Sequence, residues 1–378
     1  MIKINGKIIK TAHGSIKTPV FLPDATRGYI KALSNEDLKI VGVKSMVVNT
    51  YHLYLQPGIK VIKKATHLRN ASARQGGIHK FMNWDGPLVS DSGGYQVFSL
   101  IYKNSKMGKI FDDKVIFKSP LDGSKHEFTP EKSIQIQFDL GVDMMVCLDD
   151  CPPNNSDERL LKLSVDRTID WAKRCRREWE KQIKKRRLKG SNKPKLIAVI
   201  QGGINFDLRK YCSEKLIKIG FEGYGFGGRH VDSEGKLLAD MLQLTADLIP
   251  DDAIRFALGI GTPEDIAICA RMGWDMFDCV IPTREGRHGR LYTSPPTPLL
   301  IRRGELKGRG VYKTYNISNS KFKNDFSAIN KDSKIPELRD YSKAYLHHLF
   351  KMNESLGLRL ASMNNLELYN DLMKLLKK

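Results

Sequence analysis

The sequence predicts a closed parallel α/β barrel, a (β/α)8 fold of the TIM type, on three observations. Its 378 residues, 41% hydrophobic, are enough for one large barrel with decorations. Eight short apolar or β-branched runs each end in a polar or glycine-rich stretch and are followed by a segment of helical period. Asp91, Asp149, Gln201, Gly228 and Asp278 all fall at the C-terminal ends of such runs, the face on which barrel enzymes assemble their sites. A doubly wound open sheet is the alternative that the same alternation of strand and helix allows.

The eight runs are 19–23, 45–50, 88–91, 144–149, 196–203, 223–228, 255–261 and 276–283. Helix starts lie between them: Asn35 opens one, and Thr129-Pro130 and Thr262-Pro263 each put a capping hydroxyl before a proline at the first helical position. Residues 104–125 read as a β-hairpin insertion turning at Asp122-Gly123. Residues 295–340 are polar, basic and irregular, 341–356 return to helical period, and 365–376 form a last helix. No Ser/Gly linker divides the chain, so 1–378 is expected to be one domain, with 295–378 as a C-terminal subdomain.

Composition limits the partner. With 63 Lys+Arg against 42 Asp+Glu the net charge is +21, which points to a polyanion. Residues 172–195 carry 12 basic and 2 acidic residues, mostly along a helical run read as a solvated face. Residues 284–313 carry 8 basic and 2 acidic, too rich in Gly and Pro for one helix; Arg284, Arg287, His288 and Arg290 are expected in a loop suited to phosphates. No apolar stretch approaches the roughly 18 residues of a membrane span, and the charged opening residues do not resemble a secretory signal. A cytoplasmic location and no membrane partner are expected. Six scattered cysteines fit buried thiols, and the Cys147/Cys151 pair lacks the second pair a metal would need.

Three aspartates stand in apolar, glycine-rich surroundings: Asp91 before Ser92-Gly93-Gly94-Tyr95, Asp149 after Leu148, and Asp278 inside Met276-Phe-Asp-Cys. An Asp after a strand is commonly a turn former or a helix cap. Asp278 sits within an apolar strand, where an unpaired charge is costly, and is a candidate nucleophile or base.

Asp91-Ser-Gly-Gly-Tyr-Gln-Val-Phe-Ser, Asn49-Thr-Tyr-His-Leu, Gln201-Gly-Gly, Gly227-Gly228, Gly259-Ile-Gly-Thr-Pro-Glu-Asp and Phe277-Asp-Cys-Val-Ile-Pro-Thr-Arg-Glu-Gly-Arg-His-Gly together resemble the bacterial tRNA-guanine transglycosylase family over nearly the whole chain. The resemblance implies exchange of guanine at the anticodon wobble position for a 7-deazaguanine base. It implies Asp278 as the nucleophile on the ribose anomeric carbon and Asp91 as the proton shuttle. Such double displacement retains configuration, with carboxyls about 5–5.5 Å apart in retaining glycosidases. Ser92, Gly93, Gly94, Asp149, Gln201 and Gly228 are implied to hold the base, and Tyr95 to stack on it. Gly259, Ile260, Gly261, Thr262, Pro263, Glu264 and Asp265, with Thr283, Arg284, Glu285, Gly286 and Arg287, are implied to grip the tRNA.

Two departures bear on that expectation. The family's C-terminal zinc is held by three cysteines and a histidine, and Ser333, Ile335, Leu338 and Asn364 align with those positions. Neighbouring His347 and His348 point apart on a helix and are read as surface or core. No zinc is expected, and the homodimer that the zinc-bearing subdomain supports in the family is left open. At 228–234 the chain carries an extra residue, and Arg229 replaces an apolar side chain near the 7-substituent, while Cys151 and Val231 match bacterial members and favour 7-aminomethyl-7-deazaguanine over queuine. The competing reading is a non-catalytic tRNA-binding accessory subunit.

Overall fold

The computed structural model describes residues 6–65, 77–293 and 312–377. Eight parallel strands form its centre: β1 Val20–Pro23, β2 Met46–Asn49, β3 Leu88–Asp91, β4 Met144–Val146, β5 Lys195–Ile200, β6 Gly223–Phe226, β7 Ile254–Ala257 and β8 Met276–Cys279. Each lies within the apolar run that predicted it or overlaps all but its first residue. The spatial order follows the chain around, β8 pairs with β1, and a parallel bridge from Asp24 to Val47 joins β1 to β2. The amide of Ala25 reinforces that seam by donating to the Val47 carbonyl at 2.7 Å. The result is the predicted (β/α)8 barrel.

Both faces of these strands are buried, so alternation sorts residues between two apolar layers. Leu22, Val47, Val89, Met144, Val146, Ile197, Val199, Phe256 and Met276 fill the lumen. Phe21, Met46, Val48, Leu88, Met145, Ala198, Phe226 and Phe277 face the surrounding helices. The lumen is thus a packed core, open to chemistry only at its ends. Its lower end is plugged by an N-terminal hairpin, Ile8–Thr11 with Gly14–Lys17, which sends Ile9 and Ile16 inward and was not predicted. There the buried Asp143 carboxylate accepts the Leu88 amide (2.9 Å) and His13 Nδ1 (3.0 Å), with the His79 ring stacked on that of His13.

The capping predictions hold: Thr129 Oγ1 accepts from Lys132 N and Thr262 Oγ1 from Asp265 N. Four expectations need correction or extension. The insertion is a three-stranded antiparallel sheet, Gly108–Ile110, Val115–Lys118 and Lys125–Phe128, rather than a hairpin, because Ile101 and the 105–107 turn bring a further strand alongside. The basic run lies mostly on a solvated helix face as expected, Lys173, Arg177, Lys181, Lys184 and Lys185 being exposed, but its helix is longer than the run, 29 residues from Glu158 to Arg186, and its other face buries Trp171, Cys175 and Trp179. The helical period over 341–356 breaks at Asn353, whose φ of 55° ends Lys343–Lys351; the last helix therefore starts at Ser355 and runs to Leu376. Finally, Arg284 and Arg287 lie on a short helix, Ile281–Arg287, and not in a loop: Pro282 sits in its first turn, where its missing N–H costs nothing. Residues 294–311 of the expected basic segment lie outside the described residues.

The helix Ser355–Leu376 locks onto the barrel. A side chain at Gly286 would meet the Ala361 backbone at 2.9 Å, so the glycine permits the close crossing with Ile281–Arg287. Asn365 Nδ2 donates to the carbonyls of Pro282 and Arg290, and its Oδ1 accepts the Tyr292 amide. Among the described residues no helix is long and apolar enough to cross a membrane.

Candidate active site

The upper rim of the lumen follows from the same alternation. Two residues beyond the lumen-facing Leu22, Val47, Val89 and Met276 come Asp24, Asn49, Asp91 and Asp278, one on each of four neighbouring strands, β1, β2, β3 and β8. Gln201 holds the equivalent place beyond Val199 of β5. The fold thereby gathers Asp91 and Asp278, 187 residues apart in sequence (278 − 91), into one mouth.

Asp91 is the most elaborately held. The Asn49 side-chain amide donates to one carboxylate oxygen, and the amides of Thr50 (3.1 Å) and Gly93 (3.2 Å) donate to the other. Gly93 has a φ of 79°, and a side chain there would strike Tyr51 at 2.9 Å, so the turn over the carboxylate demands glycine. Asp91 is therefore the turn former of one reading and the rim carboxylate of the other at once. Burial pushes its pKa up to about 7 against those three donors, and the Asp278 charge adds to the rise. Asp278 accepts one hydrogen bond, from the Gly259 amide at 2.9 Å, and burial raises it to about 6.

On the opposite arc, Gln201 Nε2 donates to Asp149 Oδ2 at 2.7 Å, and burial lifts Asp149 to about 6. Gly228 begins the loop after β6, where Asn154 Oδ1 accepts the Arg229 amide. Behind both loops lies Arg209, fully buried, whose guanidinium donates to the carbonyls of Ile200, Gly203 and Gly227 at 3.2, 2.9 and 2.9 Å. Ser92 is buried, with its hydroxyl accepting the Gly94 amide; Gly94 starts the helix Gly94–Lys103, and Tyr95 beside it is 57% exposed. Arg229 is exposed.

The expected RNA-gripping residues divide. Gly259, Arg284 and the half-buried Thr262, Glu264, Asp265, Glu285 and Arg287 reach the surface. Ile260, Gly261, Pro263, Thr283 and Gly286 are buried, and they support the rim rather than line it. Sequence reasoning missed Asp24, Asn49 as a donor to Asp91, and Arg209. Asp24 carried the same signal as Asp91, a carboxylate directly after an apolar strand; Arg209 carried none.

The positions aligned with the family's zinc ligands are engaged otherwise. Ile335 and Leu338 are buried and offer no donor atom. The Ser333 hydroxyl donates to Glu367 Oε2, Glu367 Oε1 accepts the Lys334 amide, and Asn364 Nδ2 donates to the Tyr292 carbonyl. His347 is buried with Nδ1 against the Ile317 carbonyl, a core role. This set does not fit a tetrahedral zinc ion.

Residues 6–378 match the family described as "Queuine tRNA-ribosyltransferase". Proteins of that name from Thermoanaerobacter pseudethanolicus and Caldanaerobacter subterraneus are 40% and 41% identical to the chain over 371 residues, 98% of this chain and 88% of each relative. One from Staphylococcus haemolyticus is 38% identical over 370 residues, 97% of this chain and 86% of the relative. A barrel that sets two carboxylates across one mouth, matched over this length, belongs to the queuine tRNA-ribosyltransferase family, the tRNA-guanine transglycosylases.

Proposed function

We propose that the protein exchanges guanine at the wobble position of a tRNA anticodon for a 7-deazaguanine base through a covalent Asp278–ribosyl intermediate. The observation that carries this reading is the shared rim of Asp91 and Asp278 on β3 and β8. Asp278 as carboxylate attacks the ribose C1′; the C1′–O bond forms as the C1′–N9 bond breaks, and the electron pair leaves with guanine. Asp91, poised near neutrality, gives that guanine its proton and afterwards takes one from the incoming base, which attacks C1′ and releases Asp278. Two displacements retain configuration. The Gln201–Asp149 pair offers a carboxylate and an amide to the edge of a purine-like base, with the Gly228 backbone beside it. The target nucleotide must leave its stack to reach the rim, which an anticodon loop permits cheaply.

Of the incoming bases, 7-aminomethyl-7-deazaguanine is favoured over queuine; the exposed Arg229 side chain need not confront its ammonium group. We further propose that the C-terminal subdomain works without zinc, the Ser333–Glu367–Lys334 network and the apolar Ile335 and Leu338 standing where ligands would be. The test is incorporation of labelled guanine into tRNA by the purified protein alone. Turnover that Asp278→Asn abolishes supports the enzyme; no turnover with retained tRNA binding identifies the accessory subunit instead.

A further inference from the structure

We propose that Asp24 is the resident acid of the barrel mouth: a neutral carboxylic acid that holds down the charge of the rim so that Asp278 can stand ionised beside Asp91. It acts through Asp278 and is a positioning residue. Its consequence for catalysis rests on the transglycosylase reading; its protonation does not.

The geometry places Asp24 between the other two. It follows β1 directly, in the lumen-facing register of Leu22, with β8 and Asp278 on one side and β2 and β3 with Asn49 and Asp91 on the other. The hydrogen-bond supply then ranks the three carboxyls. Asp91 accepts from three donors and Asp278 from one, whereas no donor among the described residues reaches the Asp24 carboxyl. Hydrogen-bond donors stabilise the charged form of a carboxyl, and like charges in one site cannot all be ionised. The proton shared by the cluster therefore settles on the member with no donor. Among the described residues, the titratable groups facing Asp24 are Asp278 and Cys279 from β8 and Asp91 from β3, with no lysine or arginine. Burial, then the Asp278 charge, then the Asp91 charge all push its pKa well above the ordinary carboxylate range. Acids kept neutral in this way serve as hydrogen-bond donors in other active sites.

A neutral Asp24 leaves one negative charge on the nucleophile and one titrating carboxyl on the shuttle. Were it ionised, Asp278 would have to lose its own proton against two neighbouring charges, and the carboxylate needed for attack on C1′ would form only at higher pH.

The experiment is infrared difference spectroscopy of the full-length protein, wild type minus Asp24→Asn, across the pH range, together with guanine exchange by both. The expected result is a protonated-carboxyl carbonyl band at neutral pH that Asp24→Asn lacks. In Asp278→Asn, which leaves Asp24 in place, the band titrates away at lower pH than in wild type because the principal neighbouring charge is gone; this measurement stands even if the Asp24 amide variant does not fold. Exchange by Asp24→Asn falls no more than about tenfold, the worth of one neutral hydrogen bond, and the acid limb of its pH profile does not move. The proposal is overturned by absence of the band or by an acid limb that shifts to lower pH in Asp24→Asn. A loss of about 10²–10⁴-fold, as for a working acid or base, overturns it as well. A protein that shows the band and its shift but exchanges no guanine refutes the proposed function and leaves the resident acid standing. Exchange without the band does the reverse.

Discussion

Replacing Asn49 by Ser tests how the proposed shuttle, Asp91, is tuned. Asn49 does two things: its Oδ1 accepts the His52 amide and so caps the helix Thr50–Leu55, and its Nδ2 donates to Asp91. Serine is as good a cap as asparagine, so the helix is kept while the donor to Asp91 is lost. A hydrogen bond to a charged group is worth about 1.5–3 kcal/mol, and one pKa unit corresponds to about 1.4 kcal/mol, so Asp91 should rise by about 1–2 units from its position near 7. The sign follows from the donor favouring the carboxylate: without it the proton is held to higher pH. In the proposed mechanism guanine departs only when Asp91 carries a proton, so the alkaline limb of kcat/KM for guanine exchange should move up in pH by a similar amount, while thermal unfolding stays close to wild type. The assay is labelled-guanine incorporation over a pH series at fixed tRNA. An alkaline limb that stays put or moves down, in a variant that melts like wild type, refutes the tuning role of Asn49 and with it the assignment of Asp91 as the titrating shuttle.

Other perturbations follow from the same coordinates. Arg209→Lys replaces a planar fork that serves three carbonyls with a point charge that cannot reach them all; a buried carbonyl left without a donor costs about 1–3 kcal/mol, and the slackened loops should raise KM for the base more than they lower kcat, which steady-state kinetics would contradict if both constants were unchanged. Asp143→Asn breaks the buried pairing with His13 and His79 beneath the lumen and should cost about 3–5 kcal/mol in denaturant unfolding; a loss below about 1 kcal/mol would show the cluster to be dispensable. Burial opposes the Asp143 charge, but the hydrogen bond from His13 and the neighbouring His79 ring outweigh it and hold the group below the ordinary carboxylate range. Its contribution to stability is therefore present above the unfolded value near about 4 and drains away as pH falls towards the lower native value. Protein purified without chelators should contain no zinc, and elemental analysis finding one equivalent would overturn the account of Ser333, Ile335, Leu338 and Asn364.

The barrel was legible because each strand is buried on both faces and so shows up as a short unbroken apolar run, and because rim chemistry sits where such a run stops. What escaped is what depends on partners far along the chain. Arg209 lies on the helix Phe206–Ile219 between Leu208 and Lys210, where an arginine reads as solvated; only the folded turn at Gly203 and the loop at Gly227 make it a buried strut. His13, His79 and Asp143 share no spacing that a sequence reader would join. Asp24 escaped for a different reason. It carried the signal of a carboxylate directly after an apolar strand, but Pro23-Asp24-Ala25-Thr26 also has the composition of a turn, and the turn reading hid it. Helix Ile281–Arg287 was hidden by Pro282, which breaks a helix in its interior and suits it in its first turn.

The division of the rim explains how a subdomain whose Ser333, Ile335, Leu338 and Asn364 do not fit a zinc ion could still serve the proposed chemistry. One arc, β8 through β3, carries the carboxyls that would act on ribose; the other, β4 through β6, carries the groups that would read the base. The C-terminal helix braces the first arc and the β7 loop beside it. Tyr369 donates to the Gly261 carbonyl in the loop after β7, Asn365 holds the helix that follows β8, and Arg359 pairs with Asp37 on the helix after β1. The parts of the subdomain that touch the site are thus side chains of one helix, fixed by hydrogen bonds to barrel backbone and by close packing at Gly286, while Ser333 and Glu367 lie on its far side. Loosening on that opposite face reaches Asp278 only through the helix itself, so Glu367→Gln should lower stability with little effect on guanine exchange per folded molecule, whereas Asn365→Ala should slow exchange at equal fold content. Equal loss of specific activity in both variants would mean that the Ser333–Glu367 network tunes the proposed nucleophile after all.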